Sequence, residues 1–249
     1  MRITTDNGKV RSLTKEYHKE ARKVLYKITL PVIDLLDRIP INEIKYRIPD
    51  LLKPDDMDKY ISGLWSKVGG RFASDMVKMV QRVKGLDDPQ LDMWEQAFRA
   101  YMYERSMKKA KKILTTSAEI LNLVIDSVVA EGLSEGQSIG VISGALKDSF
   151  LGKMRTIQNY EAERIARTEV IGASNKGSYD GALSTGLNMQ KGWSTSGLQG
   201  IRPTHLLYES FGWVSMEKEY AAGLRHPGDP LGEAGEIINC RCTIIYNVD

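Results

Sequence analysis

Along the N-terminal stretch the apolar positions recur at steps of three and four: Leu13, Tyr17, Ala21, Val24, Leu25, Ile28, Val32, Leu35, Leu36 and Ile39. Such spacing marks one buried face of a helix. Pro31 falls inside the stripe and, lacking an amide donor, predicts a kink or a division there. Residues 39–54 hold three prolines and predict a connector. Pro54-Asp55-Asp56 then predicts a helix start, with acidic side chains at the positive end of the helix dipole. Met57, Ile61, Leu64, Trp65, Val68, Phe72, Met76, Met79, Val80 and Val83 repeat the helical spacing. Gly69-Gly70 in their midst predicts either a weak point or a place of close packing.

Asp87-Asp88-Pro89 is a second start signal, and it opens onto Leu91, Trp94, Phe98 and Tyr101 before a basic cluster, RSMKKAKK, at residues 105–112. Thr116-x-x-Glu119 and Ser134-x-x-Gln137 both have the capping-box pattern, and Gly132 is placed to end the first of two helices, 117–131 and 135–150. Gly152 should close this run. From Arg155 a further helix carries Ile157, Tyr160, Ile165, Ala166 and Val170 and fades into GASNKGSYDGALSTG. Beyond Leu187 the pattern changes: glycines are frequent, Met189, Lys191 and Trp193 alternate with polar positions, and CTIIYNV reads as a strand rich in β-branched residues. The predicted fold is mainly α with a C-terminal α+β module. Its expected division is a helical region over 1–152 and a small mixed domain with short strands over 153–249.

Composition adds that 249 residues with 42% hydrophobic content can fill an ordinary core. The opening MRITTDNGKVRSLTKEYHK has no apolar run of the signal-peptide kind, and no stretch elsewhere is expected to reach bilayer-spanning length. Cytosolic synthesis and reduced cysteines are therefore expected. The net charge of +3 is unevenly spread, with 24 Lys+Arg against 16 Asp+Glu in residues 1–112 and 11 against 16 in residues 113–249. An anionic partner for the basic half is one reading, with Arg105, Lys108, Lys109, Lys111 and Lys112 as the nucleic-acid contacts. The other reading is a solvated helix face whose cations complement the dipole.

Candidate chemistry concentrates near the C-terminus. Two of the three histidines, His205 and His226, lie close in sequence to the only cysteines, Cys240 and Cys242. Zinc held by these four is one outcome. Against it, a C-x-C lying on a strand lacks the usual zinc knuckle and points both sulfurs to one face with Arg241 opposite. A disulfide has poor geometry between strand neighbours two apart. A catalytic thiol needs a base that the sequence does not place beside it. Burial of both cysteines as small hydrophobes remains, and no metal or other cofactor is expected. Glu163 stands four residues before Arg167, the favourable order for a surface pair on a helix. No phosphate-cradling glycine loop or His-Glu-x-x-His is present, and no catalytic residue is assigned.

The order of motifs is more informative than any one of them. Glu161 to Glu169 (E-x-x-x-I-A-R-T-E), Trp193, Arg202 with His205, Gly228-Asp229-Pro230 and the closing Asn239-Cys240-Arg241-Cys242 together resemble the phage Mu F-like minor head proteins, or phage head morphogenesis proteins, over roughly residues 130–249. Many members of that family carry a further cysteine pair shortly after the tryptophan, where this chain has Ser194-Thr195-Ser196-Gly197. The resemblance implies a minor capsid protein of a tailed phage or prophage, made in the bacterial host cytoplasm and residing in the virion, inside the head or at the portal. Its implied partners are the portal protein, other head or scaffolding proteins and double-stranded DNA during capsid assembly and DNA packaging, with no membrane. Arg167, Glu169, Trp193, Arg202, His205, Asp229, Asn239, Cys240, Arg241 and Cys242 are then expected to organise the C-terminal fold.

Two other functions compete. An ADP-ribosyltransferase-like effector carried in the phage head would use Arg202 or His205 to grip a nicotinamide dinucleotide and Glu233 or Glu236 to orient the acceptor. A helical adaptor of host origin would account for the N-terminal half but not for the C-terminal order of motifs.

Overall fold

A computed structural model describes residues 2–36, 38–39, 41–84, 91–195, 197 and 199–248. In chain order it contains β1 (Arg2–Thr4), α1 (Asn7–Leu35), α2 (Ile41–Leu51), α3 (Asp55–Lys84), α4 (Leu91–Ser134), α5 (Ile139–Ser184), β2 (Met189–Ser194), α6 (Pro203–Ser210), β3 (Val214–Ser215), α7 (Ala234–Ile237) and β4 (Thr243–Val248). The protein is mainly helical and ends in a small α+β module. The helix start expected at Asp87-Asp88-Pro89 lies outside the described residues.

The apolar stripes become buried faces. Helix α1 buries Val10, Tyr17, Ala21, Leu25, Ile28 and Val32, Leu36 is buried just past its end, and Pro31 does not divide it. Helix α3 opens with Asp55, Asp56 and Asp58 in its first turn and buries Met57, Ile61, Leu64, Trp65, Val68, Phe72, Met76 and Val80. Each such side chain withdrawn from water contributes about 1.5–3 kcal/mol before the entropy cost of ordering it.

Local signals are overridden in several places. The connector expected over 39–54 is largely helix α2, because Ile44, Ile48 and Leu52 recur at steps of four and are buried, which outweighs Pro49 within the helix. Helix α4 runs without a break through the capping box at Thr116. The hydroxyls of Thr115, Thr116 and Ser117 bond back to the carbonyls of Lys111, Lys112 and Ile113, so they continue the helix instead of capping a new one. The turn falls later, at Gly136 with φ +71, where the left-handed conformation favours glycine. Helix α5 passes through Gly152 and through GASNKGSYDGAL as far as Ser184. A further expectation is not met: by length and composition Ala100–Ser134 could cross a bilayer. Uncharged Thr115, Thr116, Ser117 and Asn122 keep charges sparse there without adding a long apolar run. The same stretch buries Leu114, Leu121, Val124, Ile125 and Val128, while Leu123 and Leu133 are exposed.

The chain forms two compact units, each assembled from separate segments. One comprises Met1–His18, Ser62–Tyr103 and Arg164–Asp249; the other comprises Lys19–Ile61 and Glu104–Glu163. In the second, α1 meets α5 through Gln158, whose amide donates to Thr29 Oγ1 at 2.7 Å inside the core. The first holds a four-stranded antiparallel sheet in the order β1-β4-β2-β3. Its central pairing sets Met189 opposite Val248 and Trp193 opposite Ile244. Ile3, Met189, Ile244, Tyr246 and Val248 pack on Met76, Val80, Tyr179 and Ala182 of α3 and α5.

The small residues of α5 explain its course. A Cβ added to Gly177 would stand 2.1 Å from the Gly69 carbonyl oxygen, and one at Gly181 would stand 2.7 Å from that of Ala73. Gly69 is therefore a close-packing point: α3 and α5 touch backbone to backbone there. Gly172 does the same for the loop of Gly228, whose carbonyl oxygen would lie 2.9 Å from an added Cβ.

Candidate functional site

The C-terminal module is held by polar side chains reaching between α5 and the loops that precede β4. Arg167 Nη1 donates to Asn239 Oδ1, and the Asn239 amide donates to Thr168 Oγ1 at 2.9 Å. Asn239 needs this support, since its φ of 60 places it in the left-handed region that side chains other than glycine rarely adopt. Glu169 is buried and accepts from the Trp65 indole N–H at 2.6 Å. Arg202 Nη2 donates to the Ile238 carbonyl at 2.6 Å. Asp229 accepts from the backbone amides of Arg225 and Leu231, closing the turn that contains Gly228 at φ +72. Arg241 is exposed.

Sequence reasoning passed over Asn175, which sits in the middle of the glycine-rich end of α5. Its amide donates to the carbonyls of Pro227 at 3.0 Å and Cys242 at 3.1 Å, and its oxygen accepts from the Ile244 amide at 3.0 Å. The available signal was a lone amide among small residues, a pattern that equally describes a polar loop. Lys191 was read only as an alternating strand position. It is completely buried, donates to the Met216 carbonyl at 2.6 Å and lies over the rings of Tyr179 and Tyr220. Burial pulls the Lys191 pKa down to about 8 and pushes the Tyr179 hydroxyl up to about 12.

Around the cysteines the expected strand is absent. Helix α7 is a single turn, Asn239 reverses the chain, and β4 begins only at Thr243, so Cys240-Arg241-Cys242 occupies the turn before the strand. The Cys242 amide donates to Cys240 Sγ at 3.4 Å, an amide-to-sulfur bond within a tight turn. The spacing argument against a metal loses its premise, because it assumed a strand. Both thiols are free and buried.

Helix α6 aims His205 at them. Arg202 precedes it in an extended conformation, Pro203 occupies its first turn, and His205 and Tyr208 face inward. His205 Nδ1 lies 3.8 Å from Cys240 Sγ and 3.3 Å from Cys242 Sγ. On the other side of the ring, Nε2 stands 3.0 Å from Glu236 Oε2, off the line of a good hydrogen bond. Both oxygens of Glu236 also accept from Thr204 Oγ1, at 3.2 and 3.0 Å. Trp193 and Tyr208 wall the cluster, with ring centroids 5.0 and 5.9 Å from that of His205. Hydrogen bonding from Cys240 pulls the Cys242 thiol down against the opposing effect of burial, with His205 helping, while the same bond and burial push Cys240 up.

Of the four side chains weighed for zinc, the structure brings together His205, Cys240 and Cys242. His226 is held elsewhere, with Nδ1 facing the Pro227 carbonyl at 3.2 Å, Nε2 3.6 Å from Asp229 and its ring against Tyr179. The position after Trp193 forms a clamp in which Thr195 donates from N and Oγ1 to Glu209. Ser196 lies outside the described residues. The basic cluster sits on α4, where Lys108, Lys111 and Lys112 are exposed and Arg105 and Lys109 are half-buried.

The geometry defines a class of protein: a helical chain whose motif residues lock a small sheet-bearing module together and whose Cys-His cluster is closed off from solvent. Residues 124–245 match the family described as phage Mu protein F like protein, the phage head morphogenesis family that the motif order resembles. No curated protein and no solved structure matches it.

Proposed function

We propose that this protein is a minor head component of a tailed phage or prophage that associates with the portal while the head assembles, with residues 1–152 making the assembly contacts and 153–249 forming the head morphogenesis domain. The observation that carries this reading is the family match over residues 124–245. The geometry supports it: residues of the motif order engage one another or the adjoining backbone, Arg167 with Asn239, His205 with Cys240 and Cys242, and Arg202 with the Ile238 carbonyl. Side chains committed in this way organise a fold that presents surfaces to other head proteins. The buried thiols fit the same view, since a nucleophile closed off from solvent has no route to a substrate. Exposed Lys108, Lys111 and Lys112 on α4 provide a face suited to packaged DNA.

Mass spectrometry of purified procapsids and mature virions, with pull-down of the portal protein, tests the proposal. The protein is expected in the procapsid and bound to portal; absence from both particles removes it. An assay of NAD cleavage separates the effector reading. No turnover is expected, because Glu236 is already engaged with Thr204 and His205.

A further inference from the structure

The cluster of His205, Cys240 and Cys242 is not used by the head-assembly reading, and its chemistry is that of a ligand set. We propose that it binds one zinc ion through His205 Nδ1 and the two thiolates, with a solvent molecule in the fourth position and Glu236 orienting the imidazole.

Geometry comes first. Zinc bonds of about 2.3 Å to sulfur and 2.0–2.1 Å to nitrogen, arranged tetrahedrally, set ligand atoms about 3.5–3.8 Å apart. Nδ1 lies 3.8 Å from one sulfur and 3.3 Å from the other, and all three ligand atoms lie within 4.8 Å of one another. Small rotations of side chains already in place would admit the ion. The surroundings match as well. The Cys242 amide donates to Cys240 Sγ, a bond that strengthens when zinc displaces the thiol proton. Glu236 stands 3.0 Å from the far nitrogen of His205, and a small turn of the ring would let it accept from that nitrogen, giving a carboxylate–histidine–metal relay that fixes which nitrogen is free to ligate.

Charge and softness select the ion. Two thiolates neutralise a divalent cation, so the loaded cluster carries no net charge into a buried site. Sulfur ligands discriminate against magnesium and calcium, and a three-ligand protein site leaves zinc one position for solvent. The role is structural: the ion would tie α6 to the turn before β4, elements joined otherwise through Arg202 and the Thr204–Glu236 contact.

The test uses the full-length, untagged protein, loaded with zinc, desalted and analysed by plasma mass spectrometry. About one zinc per chain is expected, and the Cys240→Ser, Cys242→Ser double variant should lose it. Cobalt added to the metal-free wild type should give the absorption of a tetrahedral thiolate complex, a readout that does not depend on the variant folding. His205→Cys should retain the ion, and Glu236→Gln should weaken binding about 10–100-fold. The proposal is overturned by a wild type that stays metal-free and gives no cobalt–thiolate band, by copper as its only metal, or by full zinc content in the folded double variant. Unchanged affinity in Glu236→Gln removes the relay.

Discussion

Asn175 is the residue on which the C-terminal module turns, because one buried amide serves the loop at Pro227, the carbonyl of Cys242 and the first part of β4 together. Three hydrogen bonds at about 1 kcal/mol each put the cost of Asn175→Ala near 3 kcal/mol, and denaturant unfolding should show the loss as a lowered midpoint. Lys191 acts in the opposite sense. Its folded pKa of about 8 is below the ordinary lysine value, so burial of the charged form opposes folding while the pH is below 8. Between about 8 and 10.5 the unfolded chain binds the extra proton, and this contribution makes stability rise with pH. Lys191→Met should therefore raise the unfolding midpoint at pH 7, with the gain shrinking as the pH climbs through that window. Thermal scans of both proteins from pH 7 to 10.5 check it; a gain constant with pH would mean that packing, and not the charge, sets the difference.

At the scale of elements, helix existence was legible because the buried stripes of α1 and α3 are written at steps of three and four, whereas helix ends were not. Thr116 has the local chemistry of a cap, yet its hydroxyl bonds to the carbonyl four residues back. Gly172, Gly177 and Gly181 read as loop residues because their reason for being small is a neighbouring backbone far away in sequence. The candidate site was legible in composition and not in conformation: the cysteines and His205 could be named, but the turn at Asn239 that joins them depends on Arg167 and Thr168 of α5. Strand β1 was invisible because three residues pair with β4 at the opposite end of the chain. Glycines in one helix should accordingly behave differently. Gly177→Ala forces a methyl group against the Gly69 backbone and should cost about 1–3 kcal/mol or more, whereas Gly152→Ala enters open space on an exposed turn and should gain about 0.5–1 kcal/mol. Paired unfolding curves of the two variants decide it, and equal effects would contradict the close helix crossing.

At the scale of the whole molecule, the uneven charge meets a concrete surface. Arg105, Lys108 and Lys112 recur at steps of three and four along α4, while Ser106 and Ala110 between them are buried, so the cations share the outward side of the helix. The proposed DNA contact would work by releasing condensed counterions, which makes affinity fall steeply with salt and leaves it indifferent to sequence. Each phosphate contact contributes about 0.9 to the slope of log K against log salt concentration. Replacing Lys108, Lys111 and Lys112 with glutamate should then lower the slope by about 2.7 and weaken binding at low salt, while unfolding is little changed because these side chains are exposed. Fluorescence anisotropy with a labelled duplex across a salt series measures the slope. A binding constant unaltered between low and high salt, or by the triple substitution, would place any DNA contact away from this face. In assembling phage, particles carrying the triple variant separate the two proposed roles of the N-terminal half. Incorporation into procapsids should persist if the portal reads the helical surface by shape, and only the later filling of the head with DNA should fall.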